Sequence, residues 1–229
     1  MTSTSCYLVT GATGFIGDKL VRSLAREGHQ VRALSRRTLP PSGFPPHVTV
    51  VRGSLEDQAS LSAAMQDCDG VFHLAGYAKN WAHHRQVFRD INVGGLANVL
   101  HAARETGVPR VVWTSTVMTF GPTPPGQVCD ETYDRTGRPC FTDYERSKIE
   151  AEALAREHVE AGQNIVICNP TRVFGPGLLT EGNSLTRLID NYDQGKAPVV
   201  LNRGRNVGNF VLVDDVVRGH QLAMQHGQP

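Results

Sequence analysis

The feature that most constrains this chain is a set of three glycines directly after a short apolar run. Residues 6–10, CYLVT, predict a buried strand, and Gly11, Gly14 and Gly17 follow it at once. Apolar side chains then recur with helical spacing as far as residue 26. A strand, a glycine turn and a helix in this order predict a βα unit at the start of the chain.

Apolar strand patterns alternate with helical patterns along most of the sequence. The strand patterns lack the polar alternation of a half-exposed sheet, which indicates burial on both faces. We therefore predict an α/β fold, a doubly wound parallel sheet of the Rossmann type with helices on both faces. The predicted strands are 6–10, 30–35, 47–51, 70–75, 110–114 and 164–168, and the predicted helices are 14–26, 57–65, 85–105 and 142–160.

The composition excludes several classes of protein. Of 229 residues, 40% are hydrophobic and 20% are charged, which argues against an intrinsically disordered chain. The net charge of +1 lacks the basic surplus of a nucleic-acid-binding protein. No apolar run reaches the roughly 18 residues of a membrane-spanning helix. Five cysteines without a CxxC pair, and no basic leader segment, favour a reducing, cytoplasmic location without a metal site.

The glycine spacing also suggests a ligand. Gly11 permits a tight turn, Gly14 lets a pyrophosphate approach the backbone, and Gly17 lets helix and strand pack closely. Backbone N–H groups and the helix dipole would hold the phosphates of a dinucleotide. The alternative is a tight turn without a ligand. The candidate contacts in this turn are Gly11, Thr13, Gly14, Phe15, Ile16 and Gly17.

The end of the second predicted strand bears on the kind of dinucleotide. An acid about 20 residues after the glycines commonly binds the ribose 2′-hydroxyl of NAD. Here the strand ends in Ser35, Arg36 and Arg37, with no acid. Because guanidinium groups are permanently charged and bind phosphate in bidentate fashion, we predict NADP(H), with NAD(H) as the alternative. Two solvated surface arginines are the other interpretation.

A tyrosine and a lysine lie four residues apart in the helix predicted at 142–160. Tyr144 and Lys148 therefore share a helix face, and an ammonium near the phenol would lower the pKa of the phenol. Such a tyrosine can donate and accept a proton near neutral pH. The strand at 110–114 leads into Ser115 and Thr116, whose hydroxyls could hold a carbonyl oxygen beside Tyr144.

These motifs together resemble the extended (atypical) short-chain dehydrogenase/reductase family within the NAD-dependent epimerase/dehydratase superfamily. The likeness covers residues 7–227 and looks most like the dihydroflavonol-4-reductase-like and sterol-dehydrogenase-like branch. The matching stretches are TGATGFIG (10–17), GSLEDQASL (53–61), VFHLAG (71–76), NVGGLANVLHAA (92–103), VVWTSTVMTFG (111–121), YERSKIEAE (144–152), NPTRVFGPG (169–177) and FVLVDDVVRGHQLA (210–223).

The resemblance implies a catalytic set and further cofactor contacts. It places the catalytic hydroxyl on Thr116, with Ser115 as the neighbouring alternative. Tyr144 is then the general acid/base, and Lys148 holds the nicotinamide ribose and lowers the pKa of Tyr144. Arg36 is implied at the 2′-phosphate. The other implied cofactor contacts are Ser54, which replaces an acid near the adenine, Leu55 beside the adenine, Leu74, Ala75 and Gly76 at the ribose and pyrophosphate, and Pro170 to Val173 at the nicotinamide.

The expected function is an NADP(H)-dependent oxidoreductase that transfers a hydride between nicotinamide and a carbonyl or alcohol substrate. We expect residues 1–170 to form the dinucleotide-binding domain. Residues 171–229 would form a small, truncated substrate-binding region interleaved with the sheet. The resemblance also implies a homodimer through helices 85–105 and 142–160. Neither a nucleic acid nor a membrane is expected as a partner.

Two other functions compete with this one. A nucleotide-sugar epimerase or dehydratase would carry an Arg-Asp-aromatic clamp for the substrate diphosphate. Gly208, Asn209 and Phe210 stand there instead. A non-catalytic NAD(P)-sensing regulator would typically lack the Tyr144 and Lys148 pair.

Several other polar and aromatic residues carry weaker predictions. We expect a structural role for the polar side chain of Asn92 and a surface position for His83 and His84. Two aspartates would cap the last helix. Aromatic and polar residues after the predicted strands would line the substrate pocket. The residues in these last two groups are Asp214 and Asp215, and Tyr77, Asn80, Trp81 and Phe120.

Overall fold

The computed structural model of this chain has a central sheet of six parallel strands. It describes residues 4–36, 43–79, 81–124, 126–133, 135–137, 139–178, 180, 184–196, 201–205 and 207–229. The strands lie in the order β3-β2-β1-β4-β5-β6, which confirms the doubly wound parallel fold. They are β1 (Cys6–Thr10), β2 (Gln30–Ser35), β3 (Val48–Arg52), β4 (Gly70–His73), β5 (Val111–Thr114) and β6 (Ile165–Cys168).

Helices connect the strands and cover both faces of the sheet. A short parallel pair, β7 (Arg172–Phe174) and β8 (Phe210–Leu212), lies outside the main sheet. The helices are α1 (Phe15–Arg26), α2 (Gln58–Met65), α3 (Gln86–Arg89), α4 (Gly95–Glu105), α5 (Asp143–Glu160), α6 (Ser184–Asp193) and α7 (Val213–His226). A π-helical turn spans Asp90–Gly94, and 3-10 turns span Val117–Phe120 and Leu201–Gly204.

The sheet separates two apolar cores. Leu8 and Trp113 belong to the core beneath α2, α4 and α5, whereas Val9 and Phe72 belong to the core beneath α1 and α7. All four side chains are at most 1% exposed. Because burial of one such side chain stabilises a fold by roughly 1.5–3 kcal/mol, the two cores fix the helices on the sheet. Neighbouring residues of one strand serve opposite cores, which explains the continuous apolar runs.

The strand order creates a crevice at one edge of the sheet. The chain runs outward from β1 to β2 and β3, and then returns to place β4 on the other side of β1. Ligands of open α/β sheets bind at the carboxyl ends of the strands where the order reverses in this way. The turns after β1, β4 and β5 carry several of the predicted site residues. Because the strands are parallel, these turns lie at the same edge of the sheet.

The helix predicted at 85–105 is the element that differs most from expectation. It is divided into α3, the π-helical turn and α4, and the π-helical turn gives way to α4 at Gly94 and Gly95. A Cβ on Gly95 would lie 2.9 Å from Leu55 Cδ1, so glycine lets α4 approach the loop after β3 closely. A π-helical turn inserted in a helix commonly marks a functional site.

The expected aspartate caps of the last helix are wrong. The residue before α7 is Leu212, which caps the helix with no side-chain hydrogen bond. Asp214 lies within the first turn, and its carboxylate accepts a hydrogen bond of 2.8 Å from Lys19 on α1. An acid in a first turn still interacts favourably with the helix dipole, but here it also joins α7 to α1.

Within the residues described above, no helix has the length and apolar character needed to cross a bilayer. The same residues contain no group of three or more His, Cys, Asp or Glu side chains that could hold a metal ion.

Candidate active site

The glycine turn packs against the end of β4. Gly11 has a positive φ of 70°, and a Cβ at this position would lie 2.6 Å from the Ala75 nitrogen and 2.8 Å from the Leu74 carbonyl carbon. A Cβ on Gly17 would overlap the Gly11 carbonyl oxygen. The turn conformation requires glycine at Gly11, and the close packing of helix on strand requires it at Gly17.

The start of α1 suits a negatively charged ligand. The first N–H groups of any α-helix have no acceptor inside the helix. The residue that precedes α1 is Gly14, which has extended backbone geometry and no side chain to cap these groups. Thr13 is exposed beside it, whereas Phe15 is buried in the core. This donor set fits the pyrophosphate of a dinucleotide, because the helix dipole favours an anion there.

A cavity of about 370 Å³ lies beyond the ends of β2 and β3. Arg36, the predicted ligand of a 2′-phosphate, is exposed at its wall, and Arg37 lies outside the described residues. The wall also contains a second guanidinium, that of Arg52 at the end of β3, which sequence analysis missed. Arg52 lies opposite Ser35 in the parallel register. The remaining lining residues are Gly53, Ser54 and Asp57.

Arg52 could have been found from the strand pattern. It is the charged residue that ends an apolar strand, and parallel neighbours bring their carboxyl ends to the same edge. The carboxylate of Asp57 accepts a hydrogen bond of 3.1 Å from the Ser60 nitrogen at the start of α2. Asp57 is thus engaged as a helix cap, which leaves two cations and one capping acid around the cavity.

A larger cavity of about 660 Å³ lies between α1 and α7. Its lining includes Lys19 and Asp214, which pair with each other, together with Arg26 and Arg218. None of the predicted site residues lines this cavity. We therefore assign the candidate site to the carboxyl edge of the sheet, where the predicted residues converge.

The loops after β3 and β4 contain the residues for which the resemblance implies contacts with the adenine, the ribose and the pyrophosphate. The Leu55 carbonyl oxygen accepts a hydrogen bond of 2.7 Å from Asn98, and the Leu55 side chain packs against the core. The Ala75 nitrogen donates to the Thr10 hydroxyl at 3.2 Å. Leu74 and Ala75 are half-buried, and Gly76 is exposed. This segment is tied to the end of β1, directly beside the glycine turn.

The predicted Thr116, Tyr144 and Lys148 lie together at the end of β5. The Thr116 side chain lies close enough to the Tyr144 hydroxyl to lower the pKa of the phenol. The Lys148 ammonium is buried, donates a hydrogen bond of 2.9 Å to the Thr114 carbonyl oxygen, and lies 4.9 Å from the centre of the Trp113 ring. Helix α5 begins beside this site because the Thr142 hydroxyl accepts a hydrogen bond from the Glu145 nitrogen and caps it.

The electrostatics of this pair differ from the expectation. Burial raises the pKa of Tyr144, and the neighbouring Thr116 side chain opposes the rise only in part. The predicted lowering of the Tyr144 pKa by Lys148 is therefore wrong for this structure, because desolvation dominates. Burial also lowers the pKa of Lys148 to about 8, although the charge of Glu152 opposes this. The Tyr144 phenol therefore stays protonated at neutral pH, and the Lys148 ammonium loses its proton near pH 8.

A buried histidine lies behind the lysine. His73 Nδ1 lies 2.7 Å from the Thr10 hydroxyl oxygen and forms a hydrogen bond with it. Burial, together with the positive charge of Lys148, lowers the pKa of His73 to about 3. His73 is consequently neutral at physiological pH, and Lys148 carries the positive charge of this pair.

The π-helical turn supplies a polar side chain to the same region. Asn92 Oδ1 accepts a hydrogen bond of 2.7 Å from the Tyr77 nitrogen, and its Nδ2 donates to Ser147 Oγ at 2.9 Å. This bears out the structural role expected for Asn92, and it joins the loop after β4 to α5. His83 and His84 are both exposed, as expected.

The two hydroxyls after β5 have different partners. Ser115 donates a hydrogen bond of 2.6 Å to Glu152, whereas the Thr116 side chain lies beside the Tyr144 hydroxyl. This favours Thr116 over Ser115 as the hydroxyl that faces a substrate. Glu152, with Asn169 as its second donor at 2.6 Å, forms a polar network that sequence analysis missed.

The residues predicted near the nicotinamide and substrate are only partly brought together. The Pro170 carbonyl oxygen accepts a hydrogen bond of 3.1 Å from the Val117 nitrogen, so it braces the Thr116 turn, and Val173 lies in β7. The Tyr77 ring packs edge-on against Phe88 at 4.9 Å. Trp81 is 66% exposed. Asn80 lies outside the described residues.

Comparison with known proteins agrees with this geometry. The sequence model of the NAD dependent epimerase/dehydratase family matches residues 7–229. The chain belongs to this family. The family is described as NAD dependent. The glycine turn and the crevice at the carboxyl edge of the sheet are features that such a cofactor requires.

Individual relatives span both reductases and epimerases. A protein of Synechocystis sp. that is provisionally named a dihydroflavonol 4-reductase is 36% identical over 97% of this chain and 64% of its own length. The 3 beta-hydroxysteroid dehydrogenase/Delta 5-->4-isomerase of Mycobacterium tuberculosis is 33% identical over 97% of this chain and 60% of its own length. The solved UDP-glucose 4-epimerase of Thermus thermophilus in complex with NAD superposes with a TM-score of 0.80 and 26% identity, over 96% of this chain and 74% of that one. This chain therefore spans less than two thirds of these two curated relatives.

Two helical glycines allow a matched test of the glycine turn. Gly17→Ala is expected to lower thermal stability and to weaken NADPH binding, because its Cβ would overlap the Gly11 carbonyl oxygen. Gly219→Ala in α7 has no atom within 4 Å of the added Cβ and should be neutral, or more stable by up to about 1 kcal/mol. Thermal unfolding and NADPH fluorescence titration measure both effects. Equal behaviour of the two variants would contradict the packing described for the turn.

Proposed function

We propose that this chain is the cofactor-binding and catalytic part of an NADP(H)-dependent oxidoreductase that acts on a carbonyl or alcohol substrate. The observation that carries the proposal is the cluster of Thr116, Tyr144 and Lys148 at the carboxyl edge of the sheet, beside the glycine turn. A bound NADPH supplies the hydride that reaches the carbonyl carbon in the reductive direction. The residues of this chain then supply the proton, the orientation and the charge.

Tyr144 acts as the proton donor in this proposal. Its raised pKa keeps the phenol protonated at neutral pH, so that it can give its proton to the substrate oxygen as negative charge develops there. Thr116 donates a hydrogen bond to the same oxygen and orients it. The positive charge of Lys148, one helical turn from Tyr144, would offset part of the cost of the phenolate that forms, although burial keeps the resting phenol protonated. The product is an alcohol, and Tyr144 recovers its proton from solvent.

The preference for NADP(H) over NAD(H) rests on Arg36 and Arg52. Both guanidinium groups line the 370 Å³ cavity that lies where the adenosine ribose of a dinucleotide would fit. Two cations suit a 2′-phosphate better than a ribose hydroxyl, and Asp57 is already used as a cap of α2. Arg37 is a third candidate on sequence grounds alone.

The substrate in this proposal is a small or medium, largely apolar carbonyl compound. The names of the Synechocystis and Mycobacterium relatives point to flavonoid-like and steroid-like compounds as the first to try. The Thermus epimerase supports a nucleotide-sugar epimerase as the second candidate. The Gly208, Asn209 and Phe210 segment weighs against that candidate, because it offers no guanidinium for a diphosphate.

Two further features of the proposal concern the organisation of the protein. The division into a dinucleotide-binding part, residues 1–170, and a substrate-binding part, residues 171–229, remains a prediction. A homodimer through α3, α4 and α5 is also proposed, on the family likeness alone.

Tyr144→Phe tests the catalytic assignment. It removes the proton donor, so kcat for NADPH-dependent reduction should fall by roughly 10²–10⁴-fold, while NADPH affinity stays nearly unchanged. Loss of NADPH absorbance with dihydroflavonols and 3-ketosteroids measures reduction, and chromatography of UDP-glucose and its 4-epimer measures epimerisation, which consumes no net cofactor. Fluorescence titration measures affinity. Normal turnover in the variant would refute the mechanism, and activity confined to UDP-glucose would favour the epimerase candidate.

Arg36→Ala and Arg52→Ala test the cofactor preference. Each removes hydrogen bonds to a phosphate, so each should raise the Kd for NADPH by about 10–100-fold and leave the Kd for NADH unchanged. Arg218→Ala, an exposed arginine on α7, serves as the control and should change neither constant. Equal losses for both nucleotides, or no loss for NADPH, would rule out a 2′-phosphate site in this cavity.

A further inference from the structure

Residues 115–119, the Thr116 turn, follow β5 and are held in place by the carboxylate of Glu152. Ser115, Thr116 and Thr119 follow β5 and are all less than 9% exposed. Glu152 approaches them from α5, two helical turns after Tyr144 and one turn after Lys148. Its side chain is 12% exposed. A carboxylate this deeply placed needs hydrogen-bond partners to offset the loss of water.

One oxygen of Glu152 has two short hydrogen bonds. Glu152 Oε1 accepts from Ser115 Oγ at 2.6 Å and from Asn169 Nδ2 at 2.6 Å. The other oxygen, Oε2, lies 4.0 Å from the Arg156 guanidinium. Short bonds of this kind are typical of a charged acceptor and are stronger than bonds between neutral groups.

Asn169 extends this network to the catalytic threonine. Its Nδ2 also lies 3.1 Å from the Thr116 carbonyl oxygen and 3.1 Å from Thr119 Oγ1. Thr119 in turn donates to the Thr116 carbonyl at 2.8 Å. The turn that carries Thr116 is therefore tied to Glu152 twice, directly through Ser115 and indirectly through Asn169.

We propose that Glu152 is a positioning residue of the catalytic site, which fixes the Thr116 turn through Ser115 and Asn169 and places a carboxylate one helical turn from the Lys148 ammonium. This role rests on the proposed function, since it acts through residues assigned there. Glu152 does not touch the substrate oxygen in this account. It acts on Thr116, which orients the substrate oxygen, and on Lys148, whose charge acts on the phenolate of Tyr144.

Several groups share the surroundings of Lys148. His73 approaches from β4 and is neutral, because burial lowers its pKa to about 3. Tyr144 is protonated, and Thr114 contributes a carbonyl oxygen. Glu152 is the group whose charge opposes the lowering of the Lys148 pKa by burial. The charges at α3 and just before it lie at the surface instead, in the pairs Arg89–Glu150 and Arg85–Asp143.

Glu152→Gln separates charge from hydrogen bonding. The amide oxygen of glutamine can still accept from Ser115 and Asn169, but the negative charge is lost. The Lys148 ammonium form is present below its pKa and lost as the pH rises through it. Removal of a nearby anion should move that midpoint from about 8 to a lower pH, by about one unit or more.

The titration can be followed without any substrate. The chain has four lysines, Lys19, Lys79, Lys148 and Lys196, so NMR of protein labelled at the lysine Cε carbons resolves few signals. Lys148→Arg assigns the Lys148 signal by its disappearance. Glu150→Gln is the matched control, because Glu150 lies on the same helix and pairs with Arg89 at the surface. We expect the Lys148 midpoint to fall in Glu152→Gln and to stay in place in Glu150→Gln.

Turnover tests the positioning role. Glu152→Ala and Ser115→Ala release the Thr116 turn, and kcat should fall by about 100-fold in the first and less in the second, with NADPH affinity retained. The basic limb of the kcat profile should move to lower pH in Glu152→Gln, in step with the NMR midpoint. Glu152→Gln should also retain more kcat at pH 6 than Glu152→Ala, because it keeps the acceptor.

The outcomes are distinguishable from a failure of the proposed function. If Tyr144→Phe abolishes turnover but Glu152→Ala keeps it, the positioning role is wrong and the proposed function stands. If the Lys148 midpoint moves no further in Glu152→Gln than in Glu150→Gln, the charge role is wrong. If Tyr144→Phe keeps normal turnover, the proposed function fails, and the NMR midpoints still decide the charge role.

Discussion

The close approach of the glycine turn to the end of β4 determines where the rest of the site lies. Gly11 has no room for a side chain against the Ala75 nitrogen, and Gly17 has none against the Gly11 carbonyl. These contacts seat the start of α1 over the reversal in strand order. The Ala75 nitrogen donates to the Thr10 hydroxyl, which also bonds His73, so the ends of β1 and β4 share a hydrogen-bond network beside the glycine turn. A shift in the turn would disturb both.

Burial changes the pKa values of the titratable groups in the site more than nearby charges do. It keeps His73 neutral, Tyr144 protonated and Lys148 close to its titration point, each through desolvation of the charged form. Tyr144 therefore has a protonated hydroxyl at neutral pH, as the proposed proton donor requires, and the charge of Lys148 changes near pH 8. Glu152 is the nearby anion that offsets the cost of that charge, and it is fastened to the same turn as Thr116.

The sequence predicts the features that depend on short-range pattern. The glycines, the i, i+4 pair Tyr144 and Lys148, and the apolar strands each follow from local spacing, and all agree with the structure. The sequence did not reveal Arg52 and Glu152, because their positions depend on strand register and on contacts between distant parts of the chain. The pKa direction of Tyr144 was wrong for a related reason, since proximity to Lys148 is visible in the sequence whereas the depth of burial is not.

The central claim is that the glycine turn and the Tyr144 phenol serve one bound dinucleotide. NMR of protein labelled on its five tyrosine rings, with NADP⁺ added, tests this most directly. The account predicts nuclear Overhauser contacts between the nicotinamide protons and the Tyr144 ring, and these should disappear in Tyr144→Phe. Saturable binding of NADP⁺ without any contact to Tyr144, or no binding at all, would contradict it.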